Sequence, residues 1–129
     1  MPEDQGVILY AEDDPLTRMS VLAALEEAGF VVQEASNGEE ALSALLSPEK
    51  IISGLVTDIN LGSGADGWEL ARNARDNAST IPVIYISAES EDLWAANGVP
   101  NSVFVSKPFD VSQIVVALAG LLNTSDITL

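Results

Sequence analysis

The stretch LVTDIN, residues 55–60, decides the fold of this chain, because it is a short apolar run that ends in a single carboxylate, Asp58. A glycine-rich loop follows it directly. Three further apolar runs end in the same way, and each has a reactive side chain just beyond it: Glu12 with Asp13, Ser87, and Lys107. Apolar runs of this length are typical of strands that are buried on both faces of a parallel sheet.

Strand-like and helix-like segments alternate along the chain. The apolar runs predict five strands, over residues 7–11, 30–35, 54–57, 81–86 and 102–105. After the first strand, apolar residues recur three and four positions apart, which indicates one face of a helix: Leu16, Met19, Leu22 and Ala23. The alternation predicts an α/β fold of the flavodoxin-like, doubly wound type, with a five-stranded parallel sheet in the order 2-1-3-4-5 and helices on both faces.

Composition excludes several classes of function. The 129 residues are 47% hydrophobic, which suits one domain, and we expect an ordered core over residues 6–123 and a tail over residues 124–129. The chain has no cysteine and no histidine, which excludes disulfides, the usual zinc sites and histidine-based catalysis. The net charge of −15 disfavours direct DNA binding and binding to anionic membranes. Without a spanning run or a signal peptide, we expect a cytoplasmic protein.

The reactive side chains share one edge of the predicted sheet. Glu12 and Asp13 follow the first strand, Asp58 ends the third, Ser87 ends the fourth and Lys107 follows the fifth. Ligands of open α/β sheets bind beyond the carboxyl ends of the strands. In the order 2-1-3-4-5 these four strands are neighbours at a spacing of about 4.8 Å, so the side chains can converge on one pocket.

Such a pocket has a definite chemistry. Two carboxylates about 4 Å apart repel one another by about 4 kcal/mol at an effective dielectric constant near 20, and Mg²⁺ removes that cost. A carboxylate held at such a site can attack a phosphoryl group, a reaction that needs charge neutralisation and positioning. Taken singly, Glu12 with Asp13 is an acidic loop edge, Ser87 a helix cap and Lys107 an exposed lysine. Together, at four strand ends, they favour a phosphate-accepting site centred on Asp58.

The whole chain resembles the receiver domain of two-component response regulators. The resemblance is carried by ILYAEDDPLTR (8–18), LVTDINL (55–61), DGWEL (66–70), IPVIYISA (81–88) and VFVSKPF (103–109). It implies a phosphoacceptor that receives its phosphoryl group on Asp58 from a sensor histidine kinase or a histidine phosphotransfer protein. It also implies a Mg²⁺ site formed by Asp13 as a direct ligand, Glu12, Asp58 and the backbone carbonyl of Asn60.

The resemblance also implies a switch. Ser87 matches the switch hydroxyl, Ala88 the small residue after it, Lys107 the phosphate-contacting lysine and Phe104 the aromatic switch position. The bond between Lys107 and Pro108 is expected to be cis. Asn60 and Glu89 match positions that tune the lifetime of the phosphoryl group. Phosphorylation would draw Ser87 inward, let Phe104 rotate and remodel the face formed by the fourth helix, fifth strand and fifth helix.

The chain departs from the family pattern in four ways. Gly62 replaces the usual proline four residues after the acceptor, and the loop to Asp66 is one residue longer, so we expect a more mobile loop. Phe104 lacks the hydroxyl of a tyrosine, so the switch relies on packing. Residues 91–97 predict a short fourth helix, which is the output face in many relatives.

We expect a stand-alone receiver, not an enzyme in the usual sense, because the chain ends at Leu129 without a second domain. Its signal would pass to a downstream protein that the sequence does not identify. One alternative is a phosphatase of the haloacid dehalogenase type, although its nucleophile comes on the first strand and its acidic pair last. Another is a receiver-like interaction module that is never phosphorylated, against which the intact reactive set argues.

Overall fold

Five strands alternate with five helices in the computed structural model, which describes residues 6–89 and 91–126. The strands are β1 (Val7–Ala11), β2 (Val32–Ala35), β3 (Ile52–Asp58), β4 (Val83–Ser87) and β5 (Val103–Ser106). The helices are α1 (Pro15–Glu27), α2 (Gly38–Leu46), α3 (Gly67–Asn77), α4 (Glu91–Asn97) and α5 (Val111–Asp126). The sheet is parallel throughout and has the order β2-β1-β3-β4-β5, which confirms the predicted flavodoxin-like fold.

The core has two layers, one on each face of the sheet, because successive side chains of a strand point to opposite faces. One layer joins Leu9 and Leu55 to apolar residues of α2 and α3, such as Leu45 and Leu70. The other joins strand residues to α1 and α5, and its members include Ile8, Tyr10, Val21, Leu25, Ile114 and Leu118. In contrast, α4 contributes no buried side chain among its described residues.

Helix α1 has an N-cap and a proline at its start, and the face that it buries differs from the predicted one. The Asp14 carboxylate accepts a hydrogen bond from the Thr17 N–H at 2.9 Å, and Pro15 occupies the first turn. The predicted apolar stripe is wrong, however, because Leu16 is 74% exposed and Met19 is 63% exposed. The buried residues are instead Val21 and Leu25, four positions apart.

Several element boundaries differ from the predictions. Strand β2 begins at Val32 rather than at residue 30, and β3 begins at Ile52 rather than at residue 54. Helix α5 runs to Asp126, three residues beyond the end of the core predicted at residue 123. No proline or glycine occurs between Leu121 and Asp126 to stop the helix.

Residues 1–5, 90 and 127–129 lie outside the described part of the chain. No helix in the described ranges has the length and apolar character that crossing a membrane requires.

Candidate functional site

The predicted reactive residues lie together at the carboxyl edge of the sheet. Glu12 follows β1 and continues its ladder, donating its N–H to the Ala35 carbonyl at 3.0 Å. Asp58 is the last residue of β3, and it is paired in register with Ile86, one residue before the end of β4. Lys107 follows β5, and its N–H donates to the Ser87 carbonyl at 2.8 Å. Neighbouring strand ends therefore hold all four positions.

Three carboxylates form a compact acidic cluster. One oxygen from each of Glu12, Asp13 and Asp58 lies within 4.8 Å of the others, and Asp13 is the exposed member. Burial, reinforced by the charge of Asp58, raises the pKa of Glu12 to about 7. A carboxylate-only donor set without histidine or cysteine suits a hard divalent cation. The residues therefore fit a Mg²⁺-type metal by their chemistry and spacing.

Lys107 supplies the positive charge opposite these acids. Its Nζ atom lies 2.8 Å from Oδ2 of Asp58 and 3.6 Å from Oε2 of Glu12. Burial by itself lowers the pKa of Lys107, but the hydrogen bond and charge of Asp58, together with Glu12, raise it overall. Lys107 therefore keeps its proton. The bond from Lys107 to Pro108 is cis, as the resemblance implied.

The Asp58 carboxylate is held at both oxygens. The N–H of Ile59 donates to Oδ1 at 2.6 Å, while Lys107 donates to Oδ2. The hydroxyl of Thr57 donates a hydrogen bond to the backbone carbonyl of Asp58 at 2.6 Å, which holds the backbone of Asp58 in place. The Asp58 residue is only 6% exposed. A carboxylate held in this way is oriented before any ligand arrives.

Ser87 and the residues after it occupy the neighbouring strand end. Ser87 is buried, and its hydroxyl oxygen accepts a hydrogen bond from the Glu89 N–H at 2.9 Å. Its hydroxyl proton can still donate to a ligand. Ala88, Glu89 and Asn60 are exposed at this edge. Their predicted roles stay predictions.

The predicted switch aromatic packs away from the acids. The Phe104 ring stacks on Trp94 of α4, with ring centroids 5.8 Å apart and an interplanar angle of 23°. The indole N–H of Trp94 also donates to the Ser102 hydroxyl at 2.9 Å. The predicted short helix α4 is confirmed, and this aromatic pair connects it to β5.

The loop after Asp58 takes a path that the usual proline could not follow. Gly62 has φ +79° and Gly64 has φ +86°, whereas proline is restricted to negative φ. The N–H of Gly38, at the start of α2, donates to the Ser63 carbonyl at 3.0 Å, which ties the loop to the rest of the fold. The expected mobility of this loop stays a prediction.

Two residues of the site were missed in the sequence. Arg18 of α1 donates to the Glu12 carbonyl at 2.8 Å and lies 3.3 Å from the Glu34 carboxylate. Tyr10 is fully buried beneath the acids, and burial, followed by the charges of Glu12 and Asp58, raises the pKa of its hydroxyl. The alternation of side chains along β1 was the available signal for Tyr10, because it places residues 10 and 12 on one face.

Comparison with known proteins agrees with this geometry. The family model described as response regulator receiver domain matches residues 8–119. A crystal structure of a response regulator receiver protein from Sinorhizobium medicae WSM419 superposes with a TM-score of 0.91 at 37% identity, covering 96% of this chain and 99% of that chain. The receiver domain of the hybrid histidine kinase CckA superposes with a TM-score of 0.74 at 30% identity, covering 91% and 99%.

Curated relatives are longer proteins that contain a matching region. The sensor kinase CckA of Brucella abortus is 30% identical over 123 residues, which are 94% of this chain and 13% of the kinase. The transcriptional regulatory protein TrcR of Mycobacterium tuberculosis is 29% identical over 122 residues, which are 92% of this chain and 46% of the regulator. The chain therefore spans less than half of either relative.

Proposed function

The chain belongs to the response regulator receiver domain family, and from that premise we propose that Asp58 is the residue that accepts the phosphoryl group. The family makes the chain a phosphoacceptor signalling domain rather than a classical enzyme. The observation that carries the assignment is the position of the Asp58 carboxylate: it ends β3, contacts Lys107 at 2.8 Å and belongs to the acidic cluster.

The proposed reaction is a transfer from a phosphohistidine of a sensor histidine kinase or a phosphotransfer protein. A carboxylate oxygen of Asp58 attacks the phosphorus, a P–O bond forms, and the P–N bond breaks. The donor imidazole leaves with the electron pair of that bond and takes a proton from solvent. The oxygens of Asp58 are already oriented by Ile59 and Lys107, so the entropic cost of positioning the nucleophile is met before the donor binds.

A Mg²⁺ ion would be held by Glu12, Asp13, Asp58 and the carbonyl of Asn60. When bound, the ion supplies positive charge that offsets the negative charge of the phosphoryl oxygens and of the acids. The fit rests on the compact donor set, in which one oxygen from each of three carboxylates lies within 4.8 Å of the others.

Lys107 and Ser87 would hold the transferred group. The Lys107 ammonium lies 2.8 Å from the Asp58 carboxylate, so it can pair with a phosphoryl oxygen once that carboxylate is phosphorylated. The Ser87 hydroxyl can donate to a second phosphoryl oxygen from the neighbouring strand end. Ala88 leaves space beside it, and Asn60 and Glu89 would set how fast water reaches the phosphoryl group.

The signal would leave through the surface formed by α4, β5 and α5. Movement of Ser87 toward the phosphoryl group would let Phe104 leave its stack on Trp94 and shift α4. The downstream partner would be a protein, because the net charge of −15 is unsuited to direct contact with DNA phosphates. The comparisons favour neither the phosphatase alternative nor the unphosphorylated module.

The test is labelling with a small phosphodonor. Purified protein with Mg²⁺ and acetyl phosphate should gain one phosphoryl group, measured by intact-protein mass spectrometry. Asp58→Asn should abolish the gain, whereas Asp66→Asn should keep it, because Asp66 caps α3 and lies outside the acidic cluster. Undiminished labelling of the Asp58→Asn protein would place the acceptor elsewhere.

A further inference from the structure

Two buried polar atoms beside the acidic cluster have no hydrogen-bond partner. Among the described residues, the buried side-chain oxygens without a partner are the hydroxyl of Tyr10 and Oε1 of Glu12. Both residues are completely buried, with a relative exposure of 0%. A buried polar atom without a hydrogen-bond partner lowers the stability of the folded state. Two such atoms close together are therefore unusual in a native protein.

Tyr10 lies in β1, and Glu12 directly follows that strand, two residues further along the chain. Residues two apart in a strand point the same way, and the ladder of β1 continues through the Glu12 N–H. Tyr10 packs among the residues between the sheet and α1 and α5, and Glu12 stands one strand repeat nearer to the carboxyl edge. The hydroxyl of a tyrosine can donate a hydrogen bond as well as accept one.

The two groups are chemically complementary. The other oxygen of Glu12, Oε2, accepts from the Asp14 N–H at 3.3 Å and lies 3.6 Å from Lys107. Oε1 therefore remains as a buried acceptor without a donor. A protonated phenol is a donor, and a carboxylate oxygen is the strongest acceptor that it can meet in an apolar layer.

We propose that these two atoms, which are unpaired in this structure, pair with one another in solution, and that Tyr10 is thereby a positioning residue of the phosphoacceptor site: its hydroxyl donates to Oε1 of Glu12 and so holds Oε2 toward Lys107 and Asp58. The inference rests on the proposed function, because it assigns Glu12 to the metal-binding cluster. Partners of this kind orient a ligating carboxylate without touching the metal themselves, and their loss weakens metal binding.

Tyr10→Phe tests the bond, because it removes the hydroxyl and keeps the ring. If the hydroxyl serves Glu12, its removal leaves a buried carboxylate oxygen without a donor, and the melting temperature without Mg²⁺ should fall by about 3–6 °C. If the hydroxyl is unpaired in solution as well, its removal relieves a buried polar group, and the melting temperature should stay unchanged or rise. An unchanged or raised value overturns the proposal.

The positioning role needs a second measurement, the affinity for Mg²⁺ by isothermal titration calorimetry. Tyr10→Phe should weaken binding roughly tenfold, as loss of a ligand's supporting partner does. Tyr85→Phe is the matched control: Tyr85 is the other tyrosine, is also fully buried, and accepts from the Val99 N–H at 3.1 Å. It should lower the melting temperature and leave the Mg²⁺ affinity unchanged. Equal affinity of wild type and Tyr10→Phe would reduce Tyr10 to a structural residue and overturn the proposal.

Failure of the proposed function would look different. In that case the wild-type protein itself would bind no Mg²⁺, whereas failure of the Tyr10 role leaves wild-type binding intact. If Tyr10→Phe does not fold, nuclear Overhauser contacts in the wild-type protein decide the matter. The ring protons beside the Tyr10 hydroxyl should contact the γ-methylene protons of Glu12, and absence of that contact overturns the proposal.

Discussion

The ammonium group of Lys107 lies 2.8 Å from Oδ2 of Asp58, so the residue after the last strand is paired with the carboxylate that ends the central one. Oε2 of Glu12 lies 3.6 Å from the same ammonium group. One cation thus offsets two buried acids, and this shared charge determines how the site should respond to substitution and to metal.

Removal of Lys107 should destabilise the protein and make it more dependent on Mg²⁺. Lys107→Ala leaves Asp58 and Glu12 without their cation and should cost about 1–3 kcal/mol, because the lysine side chain is 26% exposed and water screens part of the interaction. Urea unfolding with and without Mg²⁺ measures the free energy of unfolding. The increase in that free energy on adding Mg²⁺ should be larger for Lys107→Ala than for wild type. Lys50→Ala, at an exposed lysine, should change neither value. If Lys107→Ala lost Mg²⁺ binding completely, the role assigned to Lys107 would be wrong.

Gly62 should not accept the proline that the family usually has there. Gly62→Ala should cost about 1–2 kcal/mol, because φ is +79° and an added Cβ meets no atom within 4 Å, so the cost is that of the backbone alone. Gly62→Pro should cost more, since proline cannot adopt that angle. Chemical denaturation of the two variants measures the difference. A proline variant as stable as wild type would mean that the loop takes another path in solution.

Trp94 should report the switch through its fluorescence. The chain has two tryptophans, and Trp94 stacks on Phe104, whereas Trp68 belongs to the core beneath α3. If phosphorylation lets Phe104 rotate, the indole loses its aromatic neighbour, and acetyl phosphate with Mg²⁺ should change the emission. Trp94→Phe should abolish that change while labelling of Asp58 continues. A full change in the Trp94→Phe protein would assign the signal to Trp68.

The Glu40 carboxylate should contribute stability that is lost in acid. Its Oε1 atom accepts from the N–H and the hydroxyl of Ser36, at 2.8 and 2.9 Å, and these bonds lower its pKa. A lowered pKa in the folded state gives stability that is present above the ordinary glutamate pKa of about 4.3 and is lost as the pH falls through the folded value. The deficit of Glu40→Gln against wild type in unfolding free energy should therefore shrink in acid. Glu39→Gln is the control for loss of charge alone. If the loss of unfolding free energy in Glu40→Gln did not change with pH, the role assigned to the Glu40 carboxylate would be contradicted.

The convergence of the site could be predicted because it follows from strand ends. Asp58, Ser87 and Lys107 each terminate or follow an apolar run, and parallel strands bring such positions to one edge whatever the details of packing. Their approach in space needed only the strand order. The cis bond at Lys107 and the roles of Asn60 and Glu89 were inferred from the family resemblance. The spacing of residues alone does not predict them.

The remaining features depend on contacts between elements. Overlapping apolar stripes are present in α1, and the packing of the helix against α5 and the sheet selects Val21 and Leu25 over Leu16 and Met19. Tyr10 resembles one more apolar strand residue in the sequence. Its spacing of two residues from Glu12 was the available signal, and the structure adds that the Tyr10 side chain is fully buried. The stacking of Phe104 on Trp94 joins residues from separate elements, which periodicity cannot pair.

The most direct test of Asp58 as the acceptor is to map the modified residue in the wild-type protein. After reaction with acetyl phosphate and Mg²⁺, reduction with borohydride converts an aspartyl phosphate into homoserine, which peptide mass spectrometry locates. We expect homoserine at position 58 and unmodified aspartate at position 13. Homoserine at position 13, or at any other carboxylate with position 58 intact, would contradict the assignment of Asp58.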